Sequence, residues 1–192
     1  MKYKALQTEY GVPTVIIQNS HNRSSGLKFH TGFIRFACAN GLILGEGIEE
    51  QRIRHSSTWK DKATSFLNNY TLEVERMEEE HQAMKAKRLS RYDMMLLAEK
   101  AVGIRYNLED VLDPLELNLV RRTEDRGSDL YTTYNRLQES LLQGMFQRRV
   151  ANYDKETNKL EYSPWGKAAK LTATDEIIRV NKELRQLVME VA

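Results

Sequence analysis

The side chains that most often bind metals or act as nucleophiles are few in this chain and far apart. They are His21, His30, His55, His81 and the one cysteine, Cys38. Zinc sites use pairs of such ligands at short spacings such as CxxC or HxxxH, and no two of these residues are that close. Cys38 lies in an alternating, strand-like segment, where a free cysteine is more often a small buried residue than a nucleophile. We therefore predict neither a metal site nor a bound cofactor.

Sequence motifs of the common enzyme classes are missing as well. The chain has no GxxxxGKS/T or GxGxxG phosphate loop, no GxSxG nucleophile elbow and no HExxH zinc motif. The acidic run from Glu78 to Glu80 is typical of a solvated helix face. No catalytic residue is predicted. The least favoured function is an enzyme that uses a polar cluster of Asn19, His21, Arg35 and His55.

Basic residues are concentrated in the first part of the chain. Residues 1–60 contain eight Lys or Arg and four Asp or Glu, whereas residues 61–192 contain 21 basic and 23 acidic residues. Lys and Arg neutralise phosphate groups, and Phe29 or Phe33 beside them could offer a face on which a base stacks. Core packing is the favoured interpretation of both rings. The predicted nucleic-acid-binding residues are Arg23, Lys28, Arg35, Arg52, Arg54 and Lys60. A solvated basic face without a ligand is the alternative interpretation.

Four short stretches combine polar residues in a distinctive order. They are NSHNRSS at residues 19–25, GFIRFACANGL at 32–42, RIRH at 52–55 and YNRLQE at 134–139. Together they resemble a family of phage and plasmid proteins named only as domain of unknown function 932, over about residues 10–150. The resemblance implies an origin in mobile elements and no established activity. The polar residues that it singles out are Asn19, His21, Asn40, His55, Asn135 and Glu139.

Three functions remain open from the sequence. The first is a phage or plasmid nucleic-acid-binding protein that binds or anneals single-stranded DNA as an oligomer. The second is an interaction protein that inhibits a bacterial defence complex by contact with a host protein. The third is the enzyme described above. The N-terminal residues lack the apolar run of a signal peptide, so we expect a protein of the bacterial host-cell cytoplasm with no membrane partner.

The hydrophobic pattern changes near Trp59 from alternation to helical spacing. The predicted strands are residues 14–17, 27–30, 33–38, 42–44 and 51–55, and Asn40 with Gly41 predicts a hairpin turn. With 41% hydrophobic residues, the chain can bury a core. We predict an α+β fold in which an antiparallel sheet of hairpins in residues 1–58 packs against long helices in residues 59–192, as one compact domain.

The helical part contains one long apolar seam and several start signals. In a predicted helix at 60–88 the seam consists of Leu67, Tyr70, Val74, Met77, His81 and Met84. It predicts packing against helices of the same chain or against a second copy in a homo-oligomer. Ser90 with Asp93 predicts a capping box. The pair Ser128-Asp129 predicts one further helix start, and Thr172 with Asp175 predicts another. Residues 152–170 are polar and are predicted to form a loop.

Overall fold

The protein combines small antiparallel sheets with α-helices. A computed structural model describes residues 11–18, 27–34, 50–53, 58–107 and 109–192. The elements in these ranges confirm the predicted α+β class, and no helix among them is long and apolar enough to span a bilayer. The chain divides into two compact units, residues 1–82 and 83–192. The first described helix begins at Trp59. The predicted division after residue 58 and the single compact domain both stay predictions.

Three strands form the described sheet of the first unit. They are β1 (Val12–Gln18), β2 (Leu27–Ile34) and β3 (Glu50–Ile53). The strands are antiparallel in the order β1-β2-β3, and Lys28 of β2 is opposite Gln18 of β1 and Arg52 of β3. β-Branched residues favour extended backbone, which explains why the run at 14–17 forms a strand. The predicted Asn40-Gly41 turn lies outside the described residues.

A long helix, α1 (Trp59–Ala86), carries the predicted seam. Its buried members are Val74, Met77, His81 and Met84. Tyr70 is half-buried, whereas Leu67 is 52% exposed. Phe29 of β2 contacts Phe66 of α1 with ring centroids 4.9 Å apart, so this strand and the helix touch at that pair. The seam therefore packs against protein as predicted, and its use in a homo-oligomer stays a prediction.

The helices of the second unit surround one buried helix. In the described residues they are α2 (Arg91–Val102), α3 (Pro114–Leu117), α4 (Leu130–Gln143) and α5 (Thr174–Met189). The residues of α4 from Leu130 to Leu142 are all buried, and α2, α3 and α5 contact the helix. An unpaired buried polar group costs about 1–3 kcal/mol, and most polar side chains of α4 have hydrogen-bond partners inside the protein.

Local hydrogen bonds determine where two of these helices begin. Ser90 Oγ accepts from Asp93 N at 3.1 Å, and Ser90 N donates to Asp93 Oδ2 at 3.0 Å, which confirms the capping box of α2. Asp129 caps α4 by accepting from Thr132 N at 2.9 Å. The predicted start of α5 at Thr172 is wrong, because Ala173 precedes the first helical residue and no side chain caps it.

Five short described strands complete the second unit. They are β4 (Val111–Leu112), β5 (Gln147–Arg149), β6 (Ala151–Asp154), β7 (Lys159–Tyr162) and β8 (Gly166–Lys167). One antiparallel sheet has the order β4-β5-β8, and β6 and β7 form a hairpin. The loop predicted for residues 152–170 is therefore wrong over much of its length. Alternation of polar and apolar residues is sufficient for strands here, although the segment as a whole is polar.

Candidate functional site

The β6–β7 hairpin closes with a turn that its own side chains stabilise. The Asp154 carboxylate accepts hydrogen bonds from Thr157 Oγ1 at 2.7 Å, Glu156 N at 2.8 Å and Thr157 N at 3.3 Å. Hydrogen bonds from Thr157 and Glu156 lower the pKa of this exposed carboxyl, because they stabilise its charged form. Asn158 follows with a φ of 54°, in the left-handed region that asparagine tolerates. The turn thereby sets the register of the two strands.

The register of the hairpin gathers its apolar residues on one face. Tyr153 is opposite Leu160, and Ala151 is opposite Tyr162, so these four residues share a face. Tyr153 is 58% exposed, Leu160 44% and Tyr162 39%. The opposite face carries Asn152, Asp154, Lys159 and Glu161. The hairpin therefore presents two aromatic rings and a leucine to solvent on a single face.

A guanidinium lies on this apolar face. The guanidinium carbon of Arg149 is 5.3 Å from the ring centroid of Tyr162, which is within the range of a cation–π contact. Arg149 Nε donates to Ser163 O at 2.8 Å, and Ser163 Oγ accepts from Val150 N at 2.9 Å. These bonds hold the guanidinium in place beside the ring. We call Tyr153, Leu160, Tyr162 and Arg149 the hairpin face.

The segment that carries the hairpin face is basic. Residues 147–170 contain six Lys or Arg and three Asp or Glu, a net charge of +3, whereas the whole chain has +2. Trp165, in the loop after β7, adds a third exposed ring. Exposed aromatic rings beside guanidinium and ammonium groups suit the stacking of bases and the neutralisation of phosphates.

A second group of cations surrounds a buried tyrosine in the same unit. The guanidinium carbons of Arg105 and Arg148 lie 5.1 and 4.7 Å from the ring centroid of Tyr106. Phe146 contacts the same ring edge-on, with centroids 5.3 Å apart. Burial raises the pKa of the Tyr106 phenol, and the positive charges of the two arginines offset part of that rise. We call Arg105, Tyr106 and Arg148 the Tyr106 cluster.

The two arginines of the Tyr106 cluster are held by different partners. Arg148 Nη1 donates to Asp110 Oδ2 at 2.6 Å, and the other oxygen of this buried carboxylate accepts from Ala151 N at 3.0 Å. Arg105 donates to the main-chain oxygens of Leu141 and Ala169. Arg148 thus has a charged partner in hydrogen-bond contact, and Arg105 has two neutral ones.

Both predicted residues of α4 are buried. Asn135 is 1% exposed, and neither atom of its amide makes a hydrogen bond within the described protein. Glu139, one turn later, accepts a hydrogen bond from Arg122 Nη2 at 2.6 Å in a largely buried ion pair. This pair joins α4 to the segment before it. The stretch at 134–139 therefore lies inside the second unit.

The structure describes three of the six predicted basic residues. Lys28 is half-buried in β2, with Arg52 of β3 opposite it. Lys60 is exposed at the start of α1, with Nζ 6.0 Å from the ring centroid of Trp59. The predicted residues outside the described ranges are Arg23, Arg35, Arg54, Asn19, His21, Asn40 and His55. Their roles, and a shared basic face, stay predictions.

Neither the hairpin face nor the Tyr106 cluster is among the residues predicted from the sequence. The sequence does contain a pattern that indicates the strands of the hairpin face, because residues 151–154 and 159–162 each alternate polar and apolar side chains. No local signal exists for the Tyr106 cluster, since Tyr106 and Arg148 lie on different segments. The described residues contain no group of three or more His, Cys, Asp or Glu able to hold a metal ion.

Comparison with known proteins identifies the family. A family model described as Domain of unknown function (DUF932) matches residues 4–165, a range that includes α4 and the hairpin face. The chain belongs to the DUF932 family. This confirms the resemblance that four short stretches of the sequence indicated.

Two relatives from Escherichia coli K12 are similar to this DUF932 chain. UPF0380 protein YfjQ is 33% identical and UPF0380 protein YafZ 32% identical, each over 142 residues. The matches cover 73% of this chain and 52% of each relative, so the chain spans about half the length of these relatives. No solved structure matches the chain at a significant level.

Proposed function

We propose that this DUF932 protein binds single-stranded nucleic acid on the hairpin face. The observation that carries the proposal is the exposed pair of rings, Tyr153 and Tyr162, with the Arg149 guanidinium held beside one of them. Bases of any sequence can stack on such rings, and each stacked base contributes about 1–3 kcal/mol. The bases of a duplex already stack on one another, so the hairpin face favours single strands.

The charge around the hairpin supports the same ligand. The exposed lysines of the segment are Lys155, Lys159, Lys167 and Lys170. Positive groups that flank a stacking surface neutralise the phosphates of the bound strand.

We extend the proposal to the protection or annealing of single-stranded DNA during replication or recombination of a mobile element. The likeness of four sequence stretches to a phage and plasmid family supports that setting. The seam of α1 supports work as a homo-oligomer, because heptad patterns are typical of paired helices. Binding of nucleic acid by one chain does not depend on either extension.

Fluorescence anisotropy with labelled single-stranded and duplex DNA of about 30 nucleotides tests the proposal. We expect the wild-type protein to bind the single strand more tightly than the duplex. The double change Tyr153→Ala with Tyr162→Ala is expected to weaken binding by at least about 30-fold, which corresponds to about 1 kcal/mol for each ring. Tyr92→Ala is the matched control, because Tyr92 is an exposed ring on α2, and it should bind as the wild type does.

Two results would count against the proposal. Equal affinity of the wild type and of a folded double variant would show that the hairpin face is not the binding surface. Absence of binding at low salt to both DNAs, and to a single-stranded RNA of the same sequence, would exclude nucleic acid as the ligand.

One specific feature favours the alternative, an interaction protein with a host partner. Leu115, Leu119 and Met145 are exposed apolar residues of the second unit. Arg121 connects the segment that contains Leu119 to the segment that contains Met145, because it donates to Leu119 O at 3.4 Å and to Met145 O at 2.7 Å. Exposed apolar residues on neighbouring segments are candidates for protein contacts. Binding of a host protein that is lost on Leu119→Lys, but not on the tyrosine double change, would support this alternative.

A further inference from the structure

The Tyr106 cluster holds more positive charge than its surroundings neutralise. Arg105 and Arg148 both lie beside the Tyr106 ring. Among the described residues, the carboxylate in hydrogen-bond contact with this pair is Asp110, which binds Arg148. Glu176 also attracts Arg105, but its carboxylate accepts two hydrogen bonds from another arginine of α5. The three charged groups Arg105, Arg148 and Asp110 therefore carry a net charge of +1.

The cluster also has spare hydrogen-bond donors. The Tyr106 hydroxyl is buried beside the Arg105 guanidinium, which interacts with its oxygen, and its own O–H has no acceptor among the described residues. Arg148 donates to Asp110 through Nη1, and its Nε and Nη2 have no acceptor among the described residues. A buried O–H that donates to nothing is costly, and a bound oxyanion would supply the acceptor.

Open space adjoins the Arg148 side of the cluster. Arg148 of β5 is opposite Leu112 of β4 and Gly166 of β8, so the three positions form one row across the sheet. Gly166 is exposed, and a Cβ added to it would meet no atom within 4 Å. The Arg148 side chain is itself 26% exposed. A ligand can therefore reach the cluster from solvent beside Gly166.

We propose that the Tyr106 cluster binds a phosphate group. A tetrahedral oxyanion accepts hydrogen bonds from several directions, so it can bind two guanidinium groups and a phenol together. Its charge would neutralise the excess and screen the two arginines from each other. Burial lowers the pKa of Arg105, and the like charge of Arg148 adds to that effect. These residues are distinct from the hairpin face, so the inference does not depend on the proposed function.

Thermal unfolding in inorganic phosphate and in sodium chloride of equal ionic strength tests the site. At about ten times its Kd, phosphate is expected to raise the midpoint temperature of the wild type by about 3–5 °C. Gly166→Glu places a carboxylate beside Arg148 and is expected to abolish the rise. Gly166→Gln, the neutral control of similar shape, should keep it, and Tyr106→Phe should reduce it.

Two results of the thermal unfolding experiment would contradict the proposed phosphate site. A wild-type midpoint that is the same in both salts would overturn the inference, as would equal phosphate responses of the two Gly166 variants. Circular dichroism checks that both variants fold, which we expect because Gly166 has open space around it. The tyrosine double variant of the hairpin face should respond to phosphate as the wild type does. The experiments therefore distinguish an error in the proposed function of the hairpin face from an error in the proposed phosphate site.

Two oligonucleotides of one sequence, with a 5′-phosphate or a 5′-hydroxyl, identify the source of the phosphate group. Tighter binding of the 5′-phosphorylated strand, removed by Gly166→Glu, would identify a terminal phosphate. Equal weakening of both strands by Gly166→Glu would identify a backbone phosphate. If Gly166→Glu affects neither strand while inorganic phosphate still stabilises the wild type, the ligand is a free phosphate or a small phosphate ester.

Discussion

Arg136 is a buried arginine whose hydrogen bonds go mainly to loop oxygens. Its guanidinium donates to Asn118 Oδ1 at 2.7 Å, Asp125 O at 2.8 Å and Gly127 O at 3.0 Å. Burial lowers the pKa of Arg136, and the carboxylates of Asp125 and Asp129 offset part of that effect. One side chain of α4 therefore fastens the preceding loop to the helix.

Replacement of this residue, Arg136→Lys, is expected to lower the free energy of unfolding by about 2–4 kcal/mol. An ammonium group cannot reproduce the planar fork of hydrogen bonds, so it leaves buried carbonyls without donors. Arg91→Lys, on the exposed side of α2, is the control and should change the free energy by less than about 0.5 kcal/mol. Urea denaturation measures both variants, and equal stabilities would contradict the role of Arg136.

Tyr70 makes the stability of the first unit depend on alkaline pH. Burial raises the pKa of its phenol from 10.0 to about 12. The folded state therefore holds the phenol proton more tightly than the unfolded state does. The protonated Tyr70 contributes its full stabilisation at pH values below the unfolded pKa, and this stabilisation is lost as the pH rises through the folded pKa. We expect Tyr70→Phe to lose less stability than the wild type between pH 10 and about 12. Denaturation curves of both proteins, measured at several pH values over that range, provide the comparison. An identical loss of stability in the two proteins at alkaline pH would contradict this role of Tyr70.

At the scale of the elements, the end of α4 depends on a glycine. Gly144 has a φ of 64°, and its N donates to Ser140 O at 2.9 Å, which ends the helix in the left-handed region. A Cβ at this position would clash with Ala168 O and lie 2.6 Å from Ala169 O. The glycine thus allows the chain after β8 to pass close to the helix end.

The change Gly144→Ala is expected to destabilise the protein by at least about 2 kcal/mol, because it combines backbone strain with a clash against main chain. Gly166→Ala is the matched control, since its Cβ would meet nothing within 4 Å. That control should change the free energy of unfolding by no more than about 0.5 kcal/mol. Thermal unfolding measures the stability of both variants. A Gly144→Ala protein as stable as its control would show that the chain at Ala168 and Ala169 can move aside.

At the scale of the whole molecule, affinity for nucleic acid should follow local rather than total charge. The net charge is +2, whereas residues 147–170 carry +3. If a bound single strand has about three phosphates neutralised, affinity falls roughly 20-fold between about 50 and 200 mM salt. Anisotropy titrations at these two salt concentrations measure the loss. Affinity that is independent of salt would contradict phosphate contacts by this segment.

Features that depend on neighbouring residues were determined by the sequence itself. Ser90 and Asp93 form their capping box within a single helical turn, so the residue types sufficed to predict it. The seam of α1 repeats at helical spacing, and its members from Val74 to Met84 are buried as that pattern predicts. The family and the α+β class also followed from short stretches and from the change of period near Trp59.

Features that join distant segments were decided only by the tertiary structure. Arg148 meets Tyr106 because β5 pairs with β4 close to the end of α2, a contact that no local pattern encodes. Asn135 is buried because three helices contact α4, although its own type is commonly exposed. Residues 151–154 and 159–162 alternate polar and apolar side chains in the sequence. The segment as a whole is polar, however, so this alternation was too weak a hydrophobic pattern to predict strands. Burial and cation pairing depend on which segments pack together, and that depends on the whole chain at once.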